Sequence, residues 1–233
     1  MILCLDCGNT RLKWGLRDGA GWAGQGVLSL ARLDSLALRA ERIVACNVAG
    51  EKAGAAIESL AARMAAPLHW VRAQAAYGGV TNGYEHPDQL GADRWAALIG
   101  ARALHAGPAL VVMSGTATTV DVLDADGVFR GGLILPGLTL MRESLAQGTA
   151  DLPTTAGEFR PLPRNTFDAI ASGCLNATLG AIERMFRQVA DRPGALCLLA
   201  GGAAPTLAPH LAPPHRVVED LVLEGLASLA AVP

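Results

Sequence analysis

The chain has 233 residues, of which 51% are hydrophobic and 17% charged, and its formal net charge is −2. The high apolar fraction excludes a disordered chain, and the length fits one large domain or two small ones. The nearly neutral charge argues against nucleic acid or a membrane surface as partner, because both attract an excess of Lys and Arg.

The cysteines and the apolar runs predict a cytoplasmic protein. There are five cysteines, an odd number, and most of them lie in apolar segments, which indicates free thiols in a reducing compartment. Cys4 and Cys7 have the C-x-x-C spacing but lie across a strand end, so we expect buried packing rather than redox chemistry. The apolar runs are too short to span a bilayer, and the N-terminus has no signal-peptide pattern.

The first half of the chain opens with a predicted hairpin. Residues 3–5 form an apolar strand that ends at Asp6, turn-forming residues follow, and residues 12–16 alternate with the period of a strand up to Asp18-Gly19. Further strands are predicted at 43–46 and 68–71, and helices at 51–64 and 91–104. Gly107-Pro108 then marks the predicted boundary between an N-terminal domain, 1–106, and a C-terminal domain, 107–233.

The second half opens with the same pattern. An apolar strand at 110–113, a turn at 114–116 and an alternating strand at 118–122 are followed by Asp126-Gly127. This recurrence indicates an internal duplication, and two unrelated hairpins are the alternative.

The remaining elements predict an α/β fold. A Gly-rich segment at 131–137 precedes a helix at 138–146 and a Pro-rich loop at 151–163. A long helix is predicted at 166–190, capped by Asn165 or Thr166. A strand at 196–199 leads into Gly201-Gly202, and a helix at 221–231 ends the chain. Strands that alternate with helices in this way are typical of α/β proteins.

The first glycine turn is a candidate phosphate site. Backbone N–H groups around Gly8 and the hydroxyl of Thr10 can donate to phosphate oxygens, and Lys13 adds a mobile positive charge. Asp6, at the strand end, is a candidate Mg²⁺ ligand, directly or through water. An ordinary hairpin is the alternative, since the sequence has no Walker motif.

The second glycine turn could face the first. Gly115 and Thr116 lie in the stretch Ser114-Gly115-Thr116-Ala117-Thr118-Thr119, and two such turns could clamp one polyphosphate from both sides. A Thr-rich strand with good β propensity is the alternative.

Four motifs together resemble one known family. Their order along the chain is that of the type III pantothenate kinases: Asp6-x-Gly8-Asn9-Thr10-x-x-Lys13, Gly91-Ala92-Asp93-Arg94, Gly115-Thr116-Ala117-Thr118-Thr119 and Gly131-Gly132-x-Ile134-x-Pro136-Gly137. The resemblance implies two duplicated ribonuclease-H-like halves of the actin-like ATPase type, with ATP in an interdomain cleft and a homodimer. It implies transfer of phosphate from ATP to pantothenate, giving 4′-phosphopantothenate in the first step of coenzyme A biosynthesis.

The resemblance also implies roles for individual residues. The ATP-binding positions are Asp6, Cys7, Gly8, Asn9, Thr10, Arg11, Lys13, Gly115 and Thr116, with Asp6 also organising Mg²⁺. The pantothenate-binding positions are Tyr84, Gly91, Ala92, Asp93, Arg94 and Thr166, the last completed across the dimer interface. Asp93 matches the general base.

The chemistry of these substrate-site residues is plausible without the family. A primary alcohol must lose its proton as it attacks phosphorus, and an ionised Asp93 in the first turn of a helix can accept it. The alternatives are that Asp93 only caps the helix, that Arg94 forms a surface ion pair and that Tyr84 packs with its hydroxyl in water.

One position departs from the family pattern. The family has Asp where this chain has Met113, and that Asp binds an activating K⁺ or NH₄⁺ ion. A thioether is a poor ligand for a hard cation, so we predict that activation by a monovalent cation is absent or built differently. The same substitution supports an alternative function, a non-catalytic nucleotide-binding regulator of the same fold.

Overall fold

A computed structural model describes residues 1–19, 21–149 and 157–230. The chain divides into two compact units. The first contains Met1–Ala106, Gly127–Phe129 and Asp220–Pro233, and the second contains Gly107–Asp126 and Arg130–Glu219. Segments distant in sequence therefore join the first unit, and the domain division at 106/107 stays a prediction.

The first unit is built on a five-stranded mixed sheet. Its strands are β1 (Ile2–Cys7), β2 (Leu12–Asp18), β3 (Gly21–Leu28), β4 (Arg42–Asn47) and β5 (Leu68–Trp70). Their spatial order is β3-β2-β1-β4-β5. The hairpin strands β1, β2 and β3 are antiparallel, whereas β4 and β5 run parallel to β1.

Three helices and a small hairpin complete the first unit. The helices are α1 (Glu51–Met64), α2 (Ala92–Leu104) and α6 (Leu221–Ala230), and the hairpin strands are β6 (Ala76–Tyr77) and β7 (Val80–Asn82). β7 also pairs with Val128 and Phe129, at the start of β10 (Val128–Pro136). One side of the sheet packs against α1 around Leu5, Ile43 and Ile57, which are fully buried.

Strand β3 was not predicted, because it contains three glycines in eight residues. The glycines make room for tryptophan rings: a Cβ at Gly26 would lie 2.8 Å from Nε1 of Trp14. On β2, a Cβ at Gly15 would lie 2.5 Å from the ring of Trp22. The low β propensity of glycine is therefore offset by the packing of aromatic rings flat on the strands.

The second unit repeats the topology of the first sheet. Its strands are β8 (Ala109–Ser114), β9 (Ala117–Leu123), β10, β11 (Leu196–Ala200) and β12 (His215–Val217), in the spatial order β10-β9-β8-β11-β12. As in the first unit, the opening hairpin is antiparallel and the next two strands run parallel to its first strand. The shared order confirms the duplicated α/β fold expected from the two hairpins.

Helices α3 (Leu138–Gly148), α4 (Thr166–Phe186) and the short α5 (Ala204–Leu207) belong to the second unit. α4 packs on the sheet through Leu175, Leu179 and Ile182. Asn165 is its N-cap, since the Asn165 side chain accepts a 2.9 Å hydrogen bond from the backbone N–H of Asp168. The prediction that this helix continues to residue 190 is wrong, because single turns replace it after Phe186, before Pro193-Gly194.

Two further expectations concern membranes and thiols. Within the described ranges, no helix combines the length and apolarity that a bilayer-crossing segment needs. All five cysteines are free and buried, as predicted for Cys4 and Cys7, and burial raises the pKa of the Cys4 and Cys197 thiols to about 12.

The expected loop at 151–163 and the end of the last helix at residue 231 lie partly outside the described residues.

Candidate active site

Three side chains lie together in the first unit, near the carboxyl ends of β1 and β4. Asp6 and Lys13 were predicted from the sequence, and Cys46 was not. Asp6 on β1 pairs with Lys13 on the antiparallel strand β2 and with Cys46 on the parallel strand β4. The thiol of Cys46 lies 3.4 Å from Oδ1 of Asp6 and donates to it. Ligands of α/β proteins bind at this edge of a sheet, where the strands end and the loops begin.

The Asp6 carboxyl group has a strongly perturbed acidity. Its pKa is raised to about 6, first by burial and then by the negative charge of nearby Asp93. The hydrogen bond from Cys46 and the positive charge of Lys13 act in the opposite direction without cancelling the rise. A cation placed beside this carboxylate would stabilise its ionised form, because the positive charge offsets both the cost of burial and the repulsion by Asp93.

Lys13 forms an ion pair that the sequence did not indicate. Its Nζ lies 2.5 Å from Oδ1 of Asp220, which is 207 residues away and directly precedes α6. Both side chains are largely shielded from water, at 25% and 17% exposure. The charges of Asp93, Lys13 and Asp220 all act on the carboxyl group of Asp6, and Asp220 is the residue that contacts Lys13.

The loop between β1 and β2 is a tight turn with exposed side chains. The backbone N–H of Gly8 donates to the carbonyl of Arg11 at 3.2 Å, and Asn9, Thr10 and Arg11 are exposed. Cys7 is different, because its side chain lies in the hydrophobic core of the first unit. A contribution of Cys7 to nucleotide binding would therefore come from its backbone.

Asp93 lies in the first turn of α2, as predicted. Its Oδ1 accepts a 2.8 Å hydrogen bond from the backbone N–H of Arg94, and the carboxylate lies over Gly91. A Cβ at Gly91 would come within 2.8 Å of that oxygen, so glycine is needed here for the carboxylate to occupy its place. Asp93 therefore takes part in helix capping while it also acts electrostatically on Asp6.

The crossing of α2 and α6 sets the positions of both helix starts. A Cβ at Gly225 would lie 1.8 Å from the carbonyl oxygen of Ala96, and a Cβ at Gly100 would lie 2.4 Å from that of Leu221. The two backbones are therefore in direct contact. Because Asp93 is at the start of α2 and Asp220 precedes α6, this contact fixes two of the acidic residues of the site.

Arg94 and Tyr84 form a hydrogen-bonded pair. Arg94 is 5% exposed, and its Nη1 donates to the hydroxyl of Tyr84 at 3.0 Å. The guanidinium also lies 5.8 Å from the ring centre of Phe129, which packs against Tyr84 at 5.1 Å. Arg94 is therefore not a surface residue, and the hydroxyl of the half-buried Tyr84 has a partner within the protein.

The second predicted glycine turn lies in the second unit, where three loops converge. The carbonyl of Thr116 accepts a 2.9 Å hydrogen bond from the backbone N–H of Gly137, and a Cβ at Gly137 would lie 2.1 Å from the oxygen of Gly115. On the other side, Gly201 has φ +96°, and a Cβ there would lie 2.3 Å from the carbonyl oxygen of Ser114. Glycine is thus required at position 201, because any side chain there would collide with the backbone of Ser114.

The strand register places Met113 in the second unit where Asp6 stands in the first. Each is the second-last paired residue of the first hairpin strand, and Met113 pairs with Thr119 and Ala200. None of these three side chains carries a charge. The hydroxyl of Thr119 is buried and has no hydrogen-bond partner.

Thr166, the last predicted substrate residue, lies on α4 in the second unit. It lines a groove of about 920 Å³ between α3 and α4, together with Ser144, Arg164 and Asn165. Leu140, Leu145 and Phe167 are each about 40% exposed nearby on the same two helices.

The predicted residues therefore fall into separate groups. Asp6, Lys13 and Asp93 come together in the first unit, and Tyr84 and Arg94 form a second cluster there. Gly115 and Thr116 meet Gly137 in the second unit, and Thr166 lines the groove between α3 and α4. Sequence reasoning missed Asp220, Cys46 and Phe129, and only the position of Asp220 before a predicted helix gave any signal.

Known proteins similar to this chain agree on one family. The family model described as Type III pantothenate kinase matches residues 2–188. A protein named "Type III pantothenate kinase" from Aromatoleum aromaticum is 53% identical over 99% of this chain and 98% of its own length. One of the same name from Dechloromonas aromatica is 49% identical over 99% of both chains.

Solved structures with low sequence identity show the same fold. A Campylobacter jejuni protein ascribed to the Baf family of transcriptional activators has a TM-score of 0.66 at 19% identity, covering 98% of this chain and 97% of its own. The ADPNP-bound activator of 2-hydroxyisocaproyl-CoA dehydratase from Clostridium difficile has a TM-score of 0.50 at 14% identity, covering 98% and 93%. With the full-length relatives and the family match, these findings establish that the chain belongs to the type III pantothenate kinase family.

Proposed function

We propose that this chain transfers the γ-phosphoryl group of ATP to the primary alcohol of pantothenate, giving 4′-phosphopantothenate and ADP in the first step of coenzyme A biosynthesis. The observation that carries the proposal is the cluster of Asp6, Lys13 and Asp93 at the carboxyl end of β1, in a chain of this family. The cluster joins a base, a cation-binding carboxylate and a phosphate-binding ammonium group.

Asp93 is the proposed general base. As the alcohol oxygen attacks the γ-phosphorus, the O–H proton passes to the Asp93 carboxylate, and the bond between phosphorus and the β–γ bridging oxygen breaks to release ADP. The start of α2 holds the carboxylate in place through the backbone N–H of Arg94.

Lys13 and the two glycine turns are the proposed phosphate-binding groups. The turn after β1 offers Gly8, Asn9, Thr10 and Arg11 at the exposed end of the strand, and Gly115 and Thr116 form the turn after β8. The proposed substrate contacts are Tyr84, Gly91, Ala92, Arg94 and Thr166, in addition to Asp93. Phosphoryl transfer depends mainly on such alignment and on charge neutralisation.

Magnesium fits the donor set around Asp6. Mg²⁺ usually binds one or two carboxylates, several waters and the phosphates of its substrate, so a single carboxylate is enough on the protein side. The raised pKa of Asp6 marks a carboxylate that gains from a cation. Among the described residues, no group of three or more His, Cys, Asp or Glu side chains is arranged to hold a metal ion. When bound, Mg²⁺ supplies positive charge to the phosphates.

The residues around Met113 do not fit an activating K⁺ or NH₄⁺ ion. A hard cation prefers several oxygen ligands, whereas Met113 offers a thioether and Ala200 offers no side-chain ligand. Thr119 contributes one hydroxyl. We therefore propose a kinase whose turnover does not require a monovalent cation.

A cytoplasmic homodimer is the proposed form of the protein. The exposed leucines and Phe167 on α3 and α4 form an apolar surface of the kind that a second copy would cover. The five buried free thiols agree with a reducing compartment. The proposed domains remain 1–106 and 107–233.

Coupled measurement of ADP release from the purified chain tests the function. Steady release with ATP, Mg²⁺ and pantothenate, and none without pantothenate, is expected. Asp93→Asn should lower turnover by at least about a hundredfold while ATP binding persists. Asp88→Asn, which removes the same charge from an exposed position before α2, is the matched control and should behave as wild type. ATP binding by wild type without any pantothenate-dependent turnover would instead favour the non-catalytic regulator.

A further inference from the structure

The ion pair between Lys13 and Asp220 joins a proposed phosphate-binding residue to one with no assigned role. Lys13 projects from β2 on a flexible four-carbon side chain, and its Nζ is held by Oδ1 of Asp220 at 2.5 Å. The low exposure of both groups limits screening of their attraction by water and salt.

Asp220 is mounted on a rigid part of the fold. Its backbone carbonyl accepts the first helical hydrogen bond of α6, from the N–H of Glu224 at 3.1 Å. The following residues Leu221, Val222 and Leu223 are buried, and Gly225 is in backbone contact with α2. The carboxylate is therefore a fixed anchor for a side chain that would otherwise sample many rotamers.

The ion pair leaves Lys13 able to bind phosphate. An ammonium group has three N–H donors, and Asp220 uses one of them. Two donors remain for phosphate oxygens, so Lys13 can keep its partner while it binds a nucleotide. An anchored ammonium loses less conformational freedom on binding than a free one, which favours affinity.

We infer that Asp220 is a positioning residue that holds Lys13 in its phosphate-binding place. The inference rests on the proposed use of ATP and deepens it, because it assigns the placement of the phosphate-binding charge to the residue before α6. Asp220 itself need not contact either substrate.

Asp220→Asn tests the inference, because it keeps the size of the side chain and removes its charge. We expect the KM for ATP to rise about tenfold, equivalent to about 1.4 kcal/mol, while the KM for pantothenate stays unchanged. The Kd of a non-hydrolysable ATP analogue should rise by a similar factor. A fall in either ATP constant would overturn the inference, since Asp220 would then compete with phosphate for Lys13. Unchanged values would overturn it as well.

Two further variants separate positioning from a structural effect. In a Lys13→Met background, Asp220→Asn should change the analogue Kd less than about twofold, because no ammonium remains to be placed. An equal loss in both backgrounds would contradict the inference. Glu224→Gln is the matched control on the same helix: it perturbs the 2.7 Å contact from Nε1 of Trp22 without touching Lys13, and should leave ATP kinetics unchanged.

The analogue-binding measurement also distinguishes this inference from the proposed function. If wild type binds the analogue but does not phosphorylate pantothenate, the proposed function fails while the effect of Asp220→Asn on Kd still decides the inference. If wild type turns over pantothenate and Asp220→Asn leaves the KM for ATP unchanged, only the inference fails.

Discussion

Replacing Gly225 by Ala should destabilise the first unit by forcing α2 and α6 apart. The added Cβ would lie 1.8 Å from the carbonyl oxygen of Ala96, whereas real Cβ atoms keep at least 3.0 Å from such atoms. The helices must therefore separate locally by about 1.2 Å, since neither atom belongs to a flexible side chain.

The magnitude follows from two opposing effects. Overpacking against backbone costs about 3 kcal/mol, at the upper end of the usual range. The better helix propensity of alanine returns about 1 kcal/mol, which leaves a net loss of about 2 kcal/mol. For a chain of this size we expect Tm to fall by about 4–8 °C. The separation would also move Asp220 relative to Lys13, so the KM for ATP should rise.

Thermal unfolding followed by circular dichroism measures the first effect, and the coupled assay measures the second. Gly180→Ala is the matched control, because Gly180 lies exposed on α4 and a Cβ there would meet no atom within 4 Å. This control should raise Tm by a few degrees, since it gains helix propensity without a clash. Equal Tm values for Gly225→Ala and wild type would refute the argued backbone contact.

Asp93→Asn should lower kcat by about 10²–10⁴-fold with little change in the KM for ATP, and a retained kcat in steady-state kinetics would remove Asp93 from the base role. Asp6, whose pKa is raised from 3.8 to about 6, holds its proton more tightly in the folded state, so its contribution to stability is present below pH 3.8 and is lost as pH rises through 6. Denaturant titrations of wild type and Asp6→Asn measure this contribution as the difference between their free energies of unfolding. The difference should fall by up to about 3 kcal/mol between pH 4 and pH 7. A difference that does not change with pH would contradict the burial of this carboxyl. Replacing K⁺ by Na⁺ or choline should leave wild-type turnover unchanged because of Met113, and the prediction fails if K⁺ alone sustains the rate.

Local patterns in the sequence were sufficient for most elements. The helix predicted at 51–64 has those bounds in α1, and the alternation at residues 12–16 identified β2. Asn165 was among the predicted caps of α4 because its side chain can replace a missing helical hydrogen bond, a property of neighbouring residues alone. The turn chemistry also located both hairpins, and with them the duplication.

Elements whose stability depends on distant partners were not predictable in the same way. β3 is a strand because Trp14 covers its Gly24 and Gly26 while its own Trp22 covers Gly15 of β2, and no local signal contains that packing. The helix α2 is buried from Arg94 to Ala101 because it packs against α6, β4 and β7. Periodicity describes one helix and cannot indicate how many neighbours surround it.

By itself, the sequence determined the α/β class, the duplicated hairpins and the residue types from which a phosphate-transfer site can be built, since these follow from local patterns and motif order. The tertiary structure alone decided that Lys13 is paired with a carboxylate 207 residues away, and that the pKa of Asp6 is raised to about 6. The physical reason is that charge–charge energies and desolvation depend on distance and burial, which arise only when β1, β2 and the starts of α2 and α6 are brought together.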